Sequence, residues 1–441
     1  MIKDSLHLKA PGNWINDPNG FICYKGKYHL FYQHFPYAPM WGTMHWGHAV
    51  SEDLVHWEHK DVALFPTKEY DRNGVFSGSA IEKDGKLYLY YSAVRYLEPQ
   101  KDNIHVAEDG KFETSQAMVV SEDGETFDNW ECKKQIIPVI RDAAIADARD
   151  TRDPKVWEEN GRYYMALGST WKGKEGRIVL YTSEDGQTWN YLSHYQNAGY
   201  GTIIECPDLF MLDGSRVFIG SLIDVQTDGK EYANQAACAF AAFDAESGKL
   251  ELADAYEMID YGGDIYAPQT NLDSDGRRVL VAWMRMPEVV ETADRRPWNG
   301  MMCIPRVVEI RNGHICFAIH PNADACFTEV VSPDMAEQSD KPMKIQADLS
   351  EGETLTIGGY RIWMEDGCIC SDRSCVFPDA EHYHVIHRTP KLCGDANLSI
   401  YVEPNLVEIF INDGYYVMSN VVYGIGRQIE GKVTGIWLYQ S

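Results

Sequence analysis

The sequence predicts an all-β chain: an N-terminal five-bladed β-propeller over residues 1–322, a linker over 323–342 and a C-terminal β-sandwich over 343–441. Three observations predict it. Helical periodicity is scarce, and short runs of Tyr, Val, Ile and Phe recur between Gly, Asn and Asp turns. One hairpin signal recurs five times and ends at Trp283. The C-terminal stretch alternates in period two and carries an Asn-Asp-Gly turn at Asn412–Gly414.

The hairpin signal is a glycine turn followed by an aromatic or β-branched strand. It reads YKGKYHLFYQ from Tyr24, EKDGKLYLYYSA from Glu82 and EENGRYYMALGS from Glu158. It returns as LDGSRVFIGS from Leu212 and SDGRRVLVAW from Ser274. A second signal is interleaved: SEDLVHW at Ser51, SEDGETFDNW at Ser121, SEDGQTWNY at Ser183 and a worn copy, FDAESGKL, at Phe243. Two signals in about 60 residues imply one four-stranded antiparallel sheet per repeat, and radial stacking of five such sheets covers their faces. A large sandwich with chance hairpin similarity is the alternative. The segment NADACFTEVVSPDMAEQSDKP is polar and interrupted by prolines, so it reads as a linker. The strings LSEGETLTIGGYRIWM, NLSIYVEPNLVEIFINDGYYVMSN and KVTGIWLYQ supply the strands of the sandwich.

Composition narrows the function. The 441 residues carry 40 Lys and Arg against 66 Asp and Glu, a net charge of −26. That argues against nucleic acid, which needs a basic face, and against an anionic membrane surface. No stretch approaches the roughly 20 apolar residues of a membrane span. The N-terminus lacks an apolar signal core. Taken as complete, the chain is expected in the cytoplasm, where its 11 cysteines, odd in number and irregularly spaced, stay reduced. The 26 Tyr and 12 Trp are compatible with carbohydrate binding and equally with an ordinary β protein.

Three acidic motifs stand out, each in a different repeat: NWINDPNG at Asn13–Gly20, TRDPKVW at Thr151–Trp157 and IIECPDLF at Ile203–Phe210. Taken singly, NDPNG can be a turn and Arg152-Asp153 a surface ion pair. Glu205, among apolar neighbours, is harder to explain away. If the opening strands of the repeats converge, the three carboxylates meet in one funnel. Such a cluster is costly unless chemistry requires it. Cleaving a glycosidic bond requires two carboxyl groups, and a third can hold sugar hydroxyls.

The motifs, taken together, resemble glycoside hydrolase family 32, the invertases, sucrose-6-phosphate hydrolases and fructan exo-hydrolases. The matches run in family order: NWINDPNG, FYQHFP at Phe31–Pro36, WGTMHWGHAVSEDLVHW at Trp41–Trp57, and FSGSA at Phe76–Ala80. RDP at Arg152, ECPD at Glu205, DIYAPQ at Asp264 and IPR at Ile304 complete the series. The resemblance implies a five-bladed propeller followed by a sandwich. It implies a retaining β-fructofuranosidase that releases terminal fructosyl units from sucrose or short fructo-oligosaccharides. Asp17 matches the nucleophile, Glu205 the general acid and base, and Asp153 the transition-state stabiliser. Asn16, Gln33, Trp41, Phe76 and Ser77 match residues of the fructosyl pocket, and Arg152, Tyr266 and Trp283 are placed with them as substrate-binding residues. Retention implies a separation of about 5–5.5 Å between nucleophile and acid. Glu205 has to hold its proton near neutral pH for the first step. Ile15 stands where many members carry Met, a swap that conserves volume. No cofactor or metal is expected, and the expected partner is a small sugar.

Sucrose-6-phosphate is the alternative substrate, to be decided by cations at the funnel rim. Arg95, Lys101, Lys172, Lys174, Arg295 and Arg296 are the candidates. An arabinofuranoside hydrolase and a non-catalytic sugar-binding propeller are the remaining alternatives. The NDPNG and ECPD strings argue against the first, and the intact acidic trio against the second. Cys368, Cys370, Cys375 and Cys393 near His382, His384 and His387 lack the paired spacing of a zinc site and read as free thiols and strand histidines. His45 and His48 read as supports of the pocket.

Overall fold

The computed structural model describes residues 2–440. The chain is all-β apart from single helical turns. It divides into two compact units. One takes the chain up to Val225 with Ala236–Glu257 and Tyr266–Cys303; the other takes Gln226–Gln235, Met258–Ile265 and Ile304 onward. Among the described residues no helix is long and apolar enough to cross a membrane.

The five hairpin signals each follow the opening strand of a sheet. The opening strands are Asn13–Tyr24, Gly74–Lys83, Arg152–Glu159, Ile204–Leu212 and Ile265–Leu272. Each pairs with the next strand in sequence. In the first four hairpins the connection is two residues long, with positive φ at both: Lys25 and Gly26, Asp84 and Gly85, Asn160 and Gly161, Asp213 and Gly214. That is the type I′ turn, whose twist matches that of the flanking strands. In the second and third sheets the following strands are Lys86–Tyr96, Phe112–Ser121 and Lys134–Ile137, then Arg162–Trp171, Glu175–Ser183 and Asn190–Asn197.

The Ser-Glu-Asp repeat turns out to be a stitched turn between the third and fourth strands. At Ser121 the hydroxyl accepts from Gly124 N at 2.9 Å, and Asp123 Oδ1 accepts from Glu125 N and Thr126 N at 2.9 and 2.7 Å. Ser183 and Asp185 repeat the pattern with Gly186, Gln187 and Thr188. Ser51 and Asp53 repeat it with Leu54, Val55 and His56. These are side-chain mimics of backbone turns.

The opening strands are tied to one another in series. Asn19 Oδ1 accepts from Gly78 N at 3.1 Å. Ser79 Oγ donates to Pro154 O at 2.7 Å. Lys155 Nζ lies 2.9 Å from Asp208 Oδ2. The same oxygen of Asp208 accepts from Thr270 N and Oγ1 at 2.8 and 2.9 Å. Asn271 Nδ2 donates to Phe21 O at 2.8 Å, which returns the series to the first strand. The packing is tight enough to demand glycine: a Cβ on Gly78 would sit 1.9 Å from Tyr90 O.

In the second unit a six-stranded sheet runs Phe327–Val330, Gly435–Tyr439, Met343–Leu349, Ala396–Glu403, Leu406–Ile411 and Tyr416–Val421. A five-stranded sheet runs Ile386–Arg388, Cys368–Asp372, Tyr360–Glu365, Thr354–Ile357 and Ile429–Glu430. Alternate residues from both, including Ile345, Ile400 and Ile409 with Leu355, Ile362 and Ile369, share one core. Pro321, just before the 323–342 region, and Pro333 within it open single helical turns, Pro321–Asp324 and Pro333–Glu337, capped by His320 and Ser332. The strand Phe327–Val330 between them pairs with Gly435–Tyr439. Arg306 of the IPR motif is fully buried on Asp260 and Glu408, at 2.9 and 3.1 Å, so this motif is a structural anchor. Cys368 and Cys370 are buried on one strand as free thiols, while Cys375 and Cys393 are exposed. His382 and His384 pair with Asp379 and Asp228 at 2.8 and 2.9 Å.

The buried pair at Asp208 gives a stability prediction. Asp208→Ala strips the carboxylate from a buried ammonium and frees Thr270, so chemical denaturation should register a loss of about 3 kcal/mol. A loss below about 0.5 kcal/mol, the scale of a surface substitution, would show that Asp208 is not a fastening point.

Candidate active site

The acidic motifs fall where the opening strands break register. The ladder slips between Ile15 and Pro18, between Arg152 and Lys155, and between Glu205 and Asp208. A fourth slip lies between Val75 and Gly78, around Phe76 and Ser77. Such bulges re-aim side chains, and proline is tolerated there because no ladder N–H is required. Pro18, Pro154 and Pro207 lie in or close the three acidic slips. Asp153 and Cys206 take left-handed φ values of 64° and 47°. This backbone costs a non-glycine residue about 1–3 kcal/mol, and the surrounding bonds hold it in place.

The bulges bring the three carboxyl groups within reach of one another's charge, in two hydrogen-bonded groups, one around Asp17 and Asp153 and one around Glu205. Ser77 Oγ donates to Asp17 Oδ2 at 2.6 Å, and Asn16 Nδ2 donates to Asp17 Oδ1 at 3.1 Å. Gln33 Nε2 donates to Ser77 Oγ at 3.3 Å. Cys206 N donates to Asp153 Oδ2 at 3.0 Å. The Cys206 thiol bridges the groups, 3.6 Å from Asp153 Oδ2 and 3.8 Å from Asp17 Oδ2. Glu205 Oε1 accepts from Arg152 Nη2 and Nε at 2.8 and 3.1 Å. Its Oε2 accepts from the Tyr266 hydroxyl at 2.5 Å. Asp150 Oδ1 holds the far side of Arg152 at 2.9 Å.

Aromatic residues flank this cluster. Trp41 stands edge-on to Phe76 at 6.1 Å and is 38% exposed. Trp283 stands edge-on to Trp14 at 5.9 Å, and Trp14 Nε1 donates to Asn16 Oδ1 at 2.7 Å. Of the residues expected from the sequence, Asn16, Gln33 and Ser77 bond in the group of Asp17 and Asp153, Arg152 and Tyr266 bond in that of Glu205, Trp283 packs on Trp14, and Trp41 and Phe76 pack on each other. Trp14, Ser92, Asp150 and Cys206 were missed. Ser92 Oγ accepts from Asp153 N at 2.8 Å. The acidic residue or cysteine before proline on three opening strands was the signal for Cys206; the others carry none.

The electrostatics follow from burial. Burial pushes the Asp17 carboxyl above its ordinary value and the charge of Glu205 adds to this, while the bonds from Ser77 and Asn16 oppose it. Burial pushes Asp153 up to about 7, against Arg152 and with the help of Glu205 and Asp17. Burial and the same carboxylates raise the Cys206 thiol, so it sits there neutral. Burial disfavours the Arg152 charge, but Glu205, Asp153 and Asp150 more than restore it. The cluster thus retains a proton close to neutral pH beside a fixed cation. That proton sits on Asp153, and the neighbouring carboxyl groups of Asp17 and Glu205 face the same cluster.

The candidate rim cations are partly spoken for. Arg95 Nε donates to Glu113 at 3.0 Å, and Arg295 is buried on Asp4 and Asp294 at 2.8 and 2.7 Å. His48 pairs with His29 at 3.0 Å and His45 with Thr43 O at 2.9 Å, and burial holds all three rings neutral.

Asp153 gives a pH prediction. A carboxyl raised by folding is protonated in both states below about pH 4, so its contribution to stability is intact there. Stability is lost as pH rises towards 7, because only the unfolded chain ionises in that window. Asp153→Asn should therefore melt higher than the parent at pH 8, and the gap should close towards pH 4. Equal melting temperatures at both pH values would contradict the burial argument.

The family model for the glycosyl hydrolases family 32 N-terminal domain matches residues 7–321. A sucrose-6-phosphate hydrolase from Escherichia coli is 31% identical over 440 residues, covering 95% of this chain and 88% of the relative. A raffinose invertase from Escherichia coli is 30% identical over 454 residues, covering 95% and 89%. Among solved structures, a Bombyx mori β-fructofuranosidase of the same family superposes with a TM-score of 0.80 at 27% identity, covering 98% of this chain and 92% of that one. With a family model over most of its length and relatives at this identity across nearly all of it, the chain belongs to the glycosyl hydrolases of family 32.

Proposed function

We propose that the chain is a retaining β-fructofuranosidase that releases terminal fructosyl units from sucrose or short fructo-oligosaccharides. The observation that carries this is the convergence of Asp17, Asp153 and Glu205 through Cys206, Arg152 and Tyr266. Asp17, oriented by Ser77 and Asn16, attacks the anomeric carbon. Glu205 passes a proton to the glycosidic oxygen, the bond to the leaving sugar breaks, and a fructosyl ester forms on Asp17. Glu205, now ionised and held by Arg152 and Tyr266, takes a proton from water, which attacks the same carbon and frees Asp17. Asp153 and Arg152 grip fructosyl hydroxyls. Asn16, Gln33, Trp41, Phe76, Ser77, Tyr266 and Trp283 line the pocket around the ring.

The architecture proposed for this chemistry is a five-bladed propeller over 1–322, a linker over 323–342 and a sandwich over 343–441. The series of bonds from Asn19 round to Asn271 supports the propeller. The eleven free cysteines support a reducing, cytoplasmic setting. Sucrose-6-phosphate is a second reading of the substrate, favoured by the name of the Escherichia coli relative. Of the rim cations, Lys101, Lys174 and Arg296 are exposed and available to a phosphate.

Asp17→Ala and Glu205→Gln should each lower turnover by about 10³-fold with circular dichroism unchanged. On a fructoside with an acidic leaving group, Glu205→Gln should recover much of the first step, since no proton is needed, and Asp17→Ala should recover nothing. Undiminished fructose release by both variants would refute the assignment. Rates on sucrose, sucrose-6-phosphate, inulin and levan fragments, measured side by side, decide the substrate.

A further inference from the structure

Glu205 is gripped asymmetrically. Two N–H groups of Arg152 occupy Oε1, whereas Oε2 meets only the neutral hydroxyl of Tyr266, at 2.5 Å. A proton carried by Glu205 therefore belongs on Oε2. There Tyr266 accepts from the carboxylic acid and donates to the carboxylate. Whatever biases Tyr266 between these roles biases the acid and base steps.

Arg285 is placed to do so. It follows the strand Arg278–Met284, is 5% exposed, and sets its guanidinium 4.8 Å from the centre of the Tyr266 ring. A cation on the face of a phenol draws electron density from it, and the effect is larger away from water. Burial and the Glu205 carboxylate push the Tyr266 phenol well above its ordinary value, and Arg285 pulls in the opposite direction. The other charged or titratable groups around Glu205 are Arg152 with Asp150 behind it, Asp153, Asp17 and Cys206. Cys206 and Trp283 also pack against Tyr266, but neither brings a positive charge to it.

We infer that Arg285 is a positioning residue for the reaction: seated against the Tyr266 ring, it strengthens the hydrogen bond that Tyr266 gives to the Glu205 carboxylate. The inference rests on Glu205 being the acid and base. Its consequence is that Arg285 favours the ionised partner, the form that activates water.

The test is the pH dependence of kcat/KM on sucrose for Arg285→Met, Arg285→Lys and the same changes in a Tyr266→Phe background. The alkaline limb reports loss of the acid's proton in the free enzyme. In Arg285→Met it should move up by about half a pH unit. Arg285→Lys keeps the charge and should stay within about 0.2 pH units of the parent. In Tyr266→Phe, neither change should move the limb further. An unmoved limb in Arg285→Met, an equal shift in Arg285→Lys, or an equal shift without the Tyr266 hydroxyl would each overturn the inference. So would a rise in KM confined to sucrose-6-phosphate with the profile unchanged, which would make Arg285 a phosphate contact. If Arg285→Met does not fold, Arg285→Gln takes its place with the same expectation. A parent enzyme releasing no fructose from any fructoside would instead sink the fructosidase reading itself.

Discussion

One oxygen of Asp208 fastens three strands at once. It meets the ammonium of Lys155 and both donors of Thr270, and these residues stand two, three and four positions after Asp153, Glu205 and Tyr266. The clustered side chains are therefore carried a few residues from a fixed clasp. That matters because the cluster works against its own charge. Three carboxyl groups with one guanidinium, partly buried, repel each other unless the backbone gives them no way to separate.

The bulges turn this fastening into chemistry. A regular strand would send alternate side chains to opposite faces. The slips at Asp17, Asp153 and Glu205 redirect them to one place, and the neighbouring prolines remove N–H groups that a regular ladder would claim. Burial then does the electrostatic work. It raises Asp17 and Asp153 while Arg152 stays charged, so a proton and a cation coexist in a small volume.

Much of this was legible in the sequence, and the reason is locality. Type I′ turns are written in two adjacent residues, such as Asp84-Gly85 and Asn160-Gly161, so the hairpins could be counted. The acidic motifs were legible because each is a short contiguous string in a different repeat, Asn13–Gly20, Thr151–Trp157 and Ile203–Phe210. Pairings between distant residues were not. Nothing in the string places the Cys206 thiol between Asp17 and Asp153, or says that Asp150 backs Arg152. Arg95 and Arg295 were read as rim candidates, but Glu113, Asp4 and Asp294 hold them. The Ser-Glu-Asp repeat was legible as a marker of period, while its role as a self-contained turn needed the hydrogen bonds.

Those turns divide the labour within each sheet. A serine and an aspartate close each connection using partners no more than three residues away, and a tyrosine of the preceding sheet seals it: Tyr24 donates to Glu122 O at 3.2 Å and Tyr90 to Gly186 O at 2.8 Å. Each turn is thus built locally and clamped from next door, so a turn grafted in its place has to keep the backbone carbonyl that the tyrosine meets.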